Sequence, residues 1–136
     1  MKRTVSIILA LVLTMALVAC GAPTADVWEN ALYLEDTTLG SGAKTVTVEV
    51  KALDKQVTFT VKTDKTTVGE ALLENGLVEG EQGAYGLYIK KVNGILADYD
   101  VDQSYWLFYV NGEYAMSGVD STEIDESAVY QLEYTK

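Results

Sequence analysis

The chain has 136 residues, enough for one domain of ordinary size, and its 20 acidic against 10 basic residues give a formal charge of −10. Such a surface is unsuited to nucleic acid, which is held by basic patches against phosphate, so no nucleic-acid partner is expected. Histidine is absent and cysteine occurs once, at Cys20, which excludes histidine general-base catalysis, Ser-His-Asp chemistry, His-ligated zinc or copper, and an intramolecular disulfide. Carboxylates, tyrosines and lysines are what remains for catalysis, and the expectation is a protein that is not an enzyme.

The chain opens with Lys2 and Arg3, followed by an uncharged run from Thr4 to Ala19. That run is shorter than the ~20 apolar residues of a spanning helix, and with its basic tip and small-residue exit it reads as a secretory signal peptide. The exit, Leu17-Val18-Ala19-Cys20-Gly21, resembles the lipobox of bacterial lipoproteins. The resemblance implies lipidation at Cys20, with a diacylglyceryl group on a new N-terminus. Two acyl chains suffice for stable anchoring, so membrane lipid is the expected first partner. The expected organisation is a signal peptide over 1–19, a lipidated tether over 20–27 and a domain over 28–136 with its core from 44. The expected location is the extracytoplasmic face of the cell membrane. Loss of Lys2 and Arg3 takes the formal charge to −12, so anchoring relies on the acyl chains and not on attraction to anionic lipid.

The segment from Trp28 to Leu39 is too apolar for a free linker and is expected to pack on the domain as an edge strand. Gly40-Ser41-Gly42 marks a turn. Lys44–Lys51 and Lys55–Thr63 alternate β-branched or aromatic residues with polar ones, the pattern of two half-buried strands. The short Ala52-Leu53-Asp54 link makes them an antiparallel hairpin. Thr67 and Glu70 have capping-box spacing, Val68, Ala71 and Leu72 fall on one helical face, and Asn75-Gly76 supplies the stop. Glu79–Ala84 reads as a polar loop, Tyr85–Val92 as a strand closed by Asn93-Gly94, and Asp98–Gln103 as an acidic loop. Tyr105–Val110, YWLFYV, reads as a strand buried on both faces. Asn111-Gly112 is a strong hairpin signal, because a type I′ turn needs positive φ at both central residues. Glu113–Met116 returns, and Ala128–Thr135 closes the chain with Ala128, Tyr130, Leu132 and Tyr134 on one face. The expected class is α+β, a β-grasp-like mixed sheet crossed by one short helix.

Two features carry candidate chemistry. Asp98, Asp100 and Asp102 begin like an EF-hand loop, but Gln103 and Tyr109 stand where that loop needs Gly and Glu. The three carboxylates are therefore either a calcium-like cation site or a solvated turn. The second feature is the Tyr105–Val110 strand. If Trp106, Phe108 and Val110 pack under the helix, Tyr105, Leu107 and Tyr109 line the other face. That face is either the second side of a core strand, or an aromatic platform for a flat ligand.

The run Tyr105-Trp106-x-Phe108-Tyr109-Val110-Asn111-Gly112-Glu113-Tyr114-Ala115, followed by Ser117-Gly118-Val119-Asp120-Ser121, resembles the bacterial family of unknown function related to the C-terminal domain of transcobalamin. The resemblance extends through Val92-Asn93-Gly94, Gly69-Glu70-Ala71-Leu72-Leu73 and Asp36 to Gly40. It implies a β-grasp fold of the soluble-ligand-binding group. In transcobalamin and intrinsic factor that domain closes over cobalamin together with an α-helical barrel, and no stretch of this sequence reads as such a barrel. Bacterial relatives are often surface lipoproteins, some associated with vitamin uptake. The resemblance therefore implies a surface-anchored small-ligand-binding module, with a corrinoid as candidate ligand and a vitamin-uptake transporter as candidate partner. The alternative is a calcium-binding or adhesive surface module. The candidate ligand residues are Tyr105, Tyr109 and Tyr114 as a platform, with Asn111, Ser117 and the Gly118-Val119 backbone as polar groups.

Overall fold

The computed structural model describes residues 26–136; the expected signal peptide and Cys20 lie outside them. Among the described residues nine strands form two sheets. Strands β1 (Thr37–Gly40), β2 (Lys44–Ala52), β3 (Lys55–Thr63), β7 (Tyr105–Val110), β8 (Glu113–Tyr114) and β9 (Val129–Thr135) make a six-stranded sheet in the order β1-β3-β2-β9-β7-β8. Strands β4 (Val78–Gly83), β5 (Gly86–Val92) and β6 (Ile95–Leu96) make a separate three-stranded sheet. The single mixed sheet expected from the sequence is thus two. Helix α1 (Val68–Glu74) is joined by one helical turn, α2 (Tyr99–Asp102), and by the 3-10 segments η1 (Val27–Asn30) and η2 (Val119–Ser121).

The β2–β3 hairpin forms as the alternation requires. Val46, Val48 and Val50 pair with Val61, Phe59 and Val57, and all six are buried. Burial of each such side chain contributes roughly 1.5–3 kcal/mol. Strand β9 adds Tyr130, Leu132 and Tyr134 to the same face, running parallel to β2 and antiparallel to β7. Helix α1, η1, η2 and the small sheet cover that face, and the core lies between the layers.

Helix α1 starts at Thr67, whose Oγ1 accepts the Glu70 N–H at 3.3 Å. The Glu70 carboxylate takes the Thr67 hydroxyl at 3.1 Å instead of its N–H, so the capping box is half made. The N-terminal segment docks at two points far away in sequence, Ala52 and Asn93. The Trp28 indole N–H donates to the Ala52 carbonyl at 2.9 Å, and the buried Asn93 mimics a paired peptide. Its Oδ1 accepts the Tyr33 N–H at 2.9 Å, and its Nδ2 donates to the Tyr33 carbonyl at 2.8 Å. Strand β1 then joins β3 in parallel at the sheet edge.

Two expected loops are structured. Glu79–Ala84 falls mostly in β4, which is exposed from Glu79 onward and bulged between Glu79 and Gly80. Nothing in Glu-Gly-Glu-Gln-Gly alternates, so the strand exists through main-chain pairing with β5, helped by surface ion pairs Glu79–Lys91 (3.2 Å) and Glu81–Lys90 (3.5 Å). The acidic loop holds α2, with Asp98 as N-cap and Gln103 closing it at φ 64°.

A cleft between the two sheets

The two faces of β7 separate cleanly. Trp106, Phe108 and Val110 oppose Tyr134, Leu132 and Tyr130 and pack on the core. The Trp106 ring meets Tyr134 edge-on at 5.7 Å, and Phe108 stacks on Tyr130 at 6.0 Å. Packing there is incomplete, since every residue of β7 is only half-buried. In front of Trp106 and Phe108 stands β5 of the small sheet, and between them opens a cleft of about 370 Å³. Leu87, Ile89, Trp106, Phe108 and Leu132 form its apolar walls, and Ser117, Gly118 and Val119 close one end. Tyr88, Tyr114 and Met116 stand at its rim; Met116 is 98% exposed.

The end of the cleft is built by close approach. Segment η2 is wedged between α1 and β5: a Cβ on Gly69 would lie 2.8 Å from the Asp120 backbone. Gly86, at φ 101°, would bring a Cβ to 2.6 Å from Asp120 Oδ1. Asp120 Oδ2 accepts the Leu87 N–H at 3.0 Å and so ties η2 to β5. Among the described residues two buried side-chain polar atoms lack partners, Trp106 Nε1 and Asp120 Oδ1, and both residues belong to the cleft or directly back it. A larger hollow of about 520 Å³ lies beside the N-terminal segment, between Leu32, Leu77 and Leu96. It holds none of the sequence-derived ligand residues and neither unpartnered atom, so the cleft is the candidate site.

The structure divides the sequence-derived ligand set. Ser117, Gly118, Val119 and Tyr114 line the cleft. Tyr105 and Tyr109 do not: they sit on the outer face of β7, where Tyr105 meets Tyr99 at 6.2 Å and Tyr109 meets Tyr114 at 6.1 Å. Asn111 serves the turn, at φ 51° with its Oδ1 accepting the Val129 N–H of β9 at 2.9 Å. Trp106, Phe108 and the β5 wall also line the cleft and were not among the sequence-derived candidates. The alternation in YWLFYV separates the two faces, but which one meets a second sheet is not written in it.

The three aspartates do not converge. Asp98 Oδ1 caps α2 by accepting the Asp100 N–H at 3.1 Å, and Asp102 Oδ1 accepts the N–H and hydroxyl of Ser104. The Ser104 hydroxyl, then its N–H, hold the Asp102 carboxyl below the usual carboxylate range, with a lesser contribution from Lys136. Among the described residues no group of three or more His, Cys, Asp or Glu is placed to hold a metal ion. Of the two readings of the acidic run, the structure has the turn: a capped helical turn in which Asp98 Oδ1 and Asp102 Oδ1 accept from local N–H or O–H donors.

The family described as "Domain of unknown function (DUF4430)" matches residues 65–136. A solved structure from Ruminococcus gnavus ATCC 29149, provisionally described as a metal binding protein, is 33% identical with a TM-score of 0.64, covering 69% of this chain and 98% of that one. Haptocorrin in complex with Cbi is 17% identical with a TM-score of 0.53, covering 68% of this chain and 25% of that chain. This chain thus spans about a quarter of the haptocorrin chain, and the likeness is one of fold. No match is found among curated proteins.

Proposed function

This chain belongs to the DUF4430 family, and from that premise we propose that it is a non-enzymatic small-ligand-binding module of β-grasp type, with a corrinoid as the ligand. The observation that carries the reading is the cleft: an apolar trough between β7 and β5, rimmed by exposed aromatics and Met116, with Trp106 on one wall. Flat, partly apolar ligands need such a wall with a few polar groups. The likeness to haptocorrin, a protein solved with Cbi, supports the choice of ligand class. At about 370 Å³ the cleft is near the lower end of ligand pockets, so it takes an edge of a macrocycle and leaves the rest exposed. Affinity for the isolated protein is then on the order of micromolar, about −8 kcal/mol, and tighter where a partner covers the other side.

The proposed setting is the outer face of a membrane, with lipid on Cys20 and a vitamin-uptake transporter as partner. Cys20→Ser should release the protein from the detergent-extracted membrane fraction, and retention like the unaltered chain would end the lipoprotein reading. Titration with cobinamide and cobalamin tests the ligand. Saturable binding that is lost in Trp106→Ala and kept in Tyr105→Ala is expected. No saturable binding up to millimolar, alone and with a transporter subunit, would leave a surface module without a corrinoid. Calcium is expected to leave the melting temperature unchanged.

A further inference from the structure

Strand β7 offers the cleft main chain as well as side chains. The Asn111 N–H donates to the Val129 carbonyl at 2.8 Å. By the alternation of an antiparallel ladder, this assigns the peptide groups of Tyr109, Leu107 and Tyr105 to β9. Phe108 and Trp106 therefore turn their N–H and C=O groups to the opposite edge. There β8 supplies two residues, the Ala115 N–H reaches the Phe108 carbonyl at 3.0 Å, and the ladder stops. Among the described residues no main-chain partner meets the Phe108 N–H or either peptide group of Trp106 on that edge. The chain from Ala115 to Gly118 splays away, and the cleft occupies the splay. Leu107 also lines the cleft although its side chain belongs to the outer face, so what it contributes is main chain.

We propose that this free edge is an amide-reading subsite, and that the ligand of the cleft is held through peripheral carboxamides. The inference rests on the small-ligand reading above and narrows it. A primary carboxamide carries both a carbonyl acceptor and N–H donors. Its carbonyl accepts from the Phe108 or Trp106 N–H while its NH₂ donates to the Trp106 carbonyl, so it takes the place of the next residue of β8. A carboxylate in the same place would leave the Trp106 carbonyl without a donor. The edge is too short for a polypeptide strand, whose affinity comes from a run of main-chain bonds.

The test compares two neutral corrinoids by calorimetric titration of the purified protein: dicyanocobinamide, with carboxamide arms, and the methyl ester of cobyrinic acid, whose arms accept but cannot donate. Cobinamide is expected to bind at least tenfold more tightly. Equal affinities would overturn the amide subsite while leaving the cleft a corrinoid site. Binding of neither would remove the reading beneath it. A capped, extended peptide binding as tightly as cobinamide would overturn the carboxamide assignment in favour of strand addition.

Discussion

The β2–β3 and β7–β8 hairpins are both built from alternating side chains around a two-residue turn, and they reach different ends. In β2–β3 nine residue pairs zip from Ala52–Lys55 to Lys44–Thr63, and the inner side chains are completely enclosed. In β7–β8 two pairs form before the return arm departs, and all of β7 stays half-buried. The zipped hairpin spends its alternation on the core. The splayed one leaves unpaired main chain and partly covered aromatics facing a second sheet, and that is where a ligand can be received.

The strongest way to break this contrast is to empty the same ring on each side of it. Phe59→Ala removes a completely buried side chain and is expected to cost about 3–5 kcal/mol in denaturant unfolding. Phe108→Ala, at a half-buried position, should cost clearly less stability and abolish cobinamide binding. Equal losses of stability would show that the cleft wall is ordinary core. Next is Gly86→Val, which places a β-branched residue at φ 101° against Asp120. Backbone strain alone should cost roughly 1–3 kcal/mol, and displacement of η2 should close the cleft to ligand. Unimpaired binding in a folded Gly86→Val variant would separate η2 from the site.

Asn111→Ala sharpens the comparison at the turn. Loss of the bond to the Val129 N–H should lower stability by roughly 0.5–1.5 kcal/mol and leave cobinamide affinity unchanged, because Asn111 ties the turn to β9 and does not line the cleft. A large loss of affinity would return Asn111 to the ligand set. The smallest effect concerns Asp102. Its folded carboxyl titrates below the unfolded value of about 3.9, so its contribution is present above that pH and disappears as pH falls through the lowered folded value. Asp102→Asn should therefore melt slightly lower than the unaltered protein at neutral pH, with the difference gone in strong acid. A difference that grew on acidification would contradict the Ser104 bonds as its cause.

Local and periodic features were legible from the residues alone. The β2–β3 alternation, the Thr67 N-cap and the two Asn-Gly turns (φ 51° and 79° at Asn93-Gly94, 51° and 81° at Asn111-Gly112) depend on neighbours within a few residues. Steric and hydrogen-bonding preferences at that range are carried by the residue types themselves. Strand β4 was not legible, because Glu-Gly-Glu-Gln-Gly becomes a strand only when β5 offers it main-chain partners. The acidic run likewise became a capped turn once Ser104 and local N–H groups claimed its oxygens.

The amino-acid sequence by itself determined where the chain turns, which residues of each long strand share a face, and that no imidazole chemistry is available. It did not determine that Trp106 and Phe108, and not Tyr105 and Tyr109, look into the cleft. Alternation has a period but no preferred side: both faces of YWLFYV are aromatic, and only the docking of the small sheet opposite one of them decides which becomes the wall of a cleft and which the outside of the molecule.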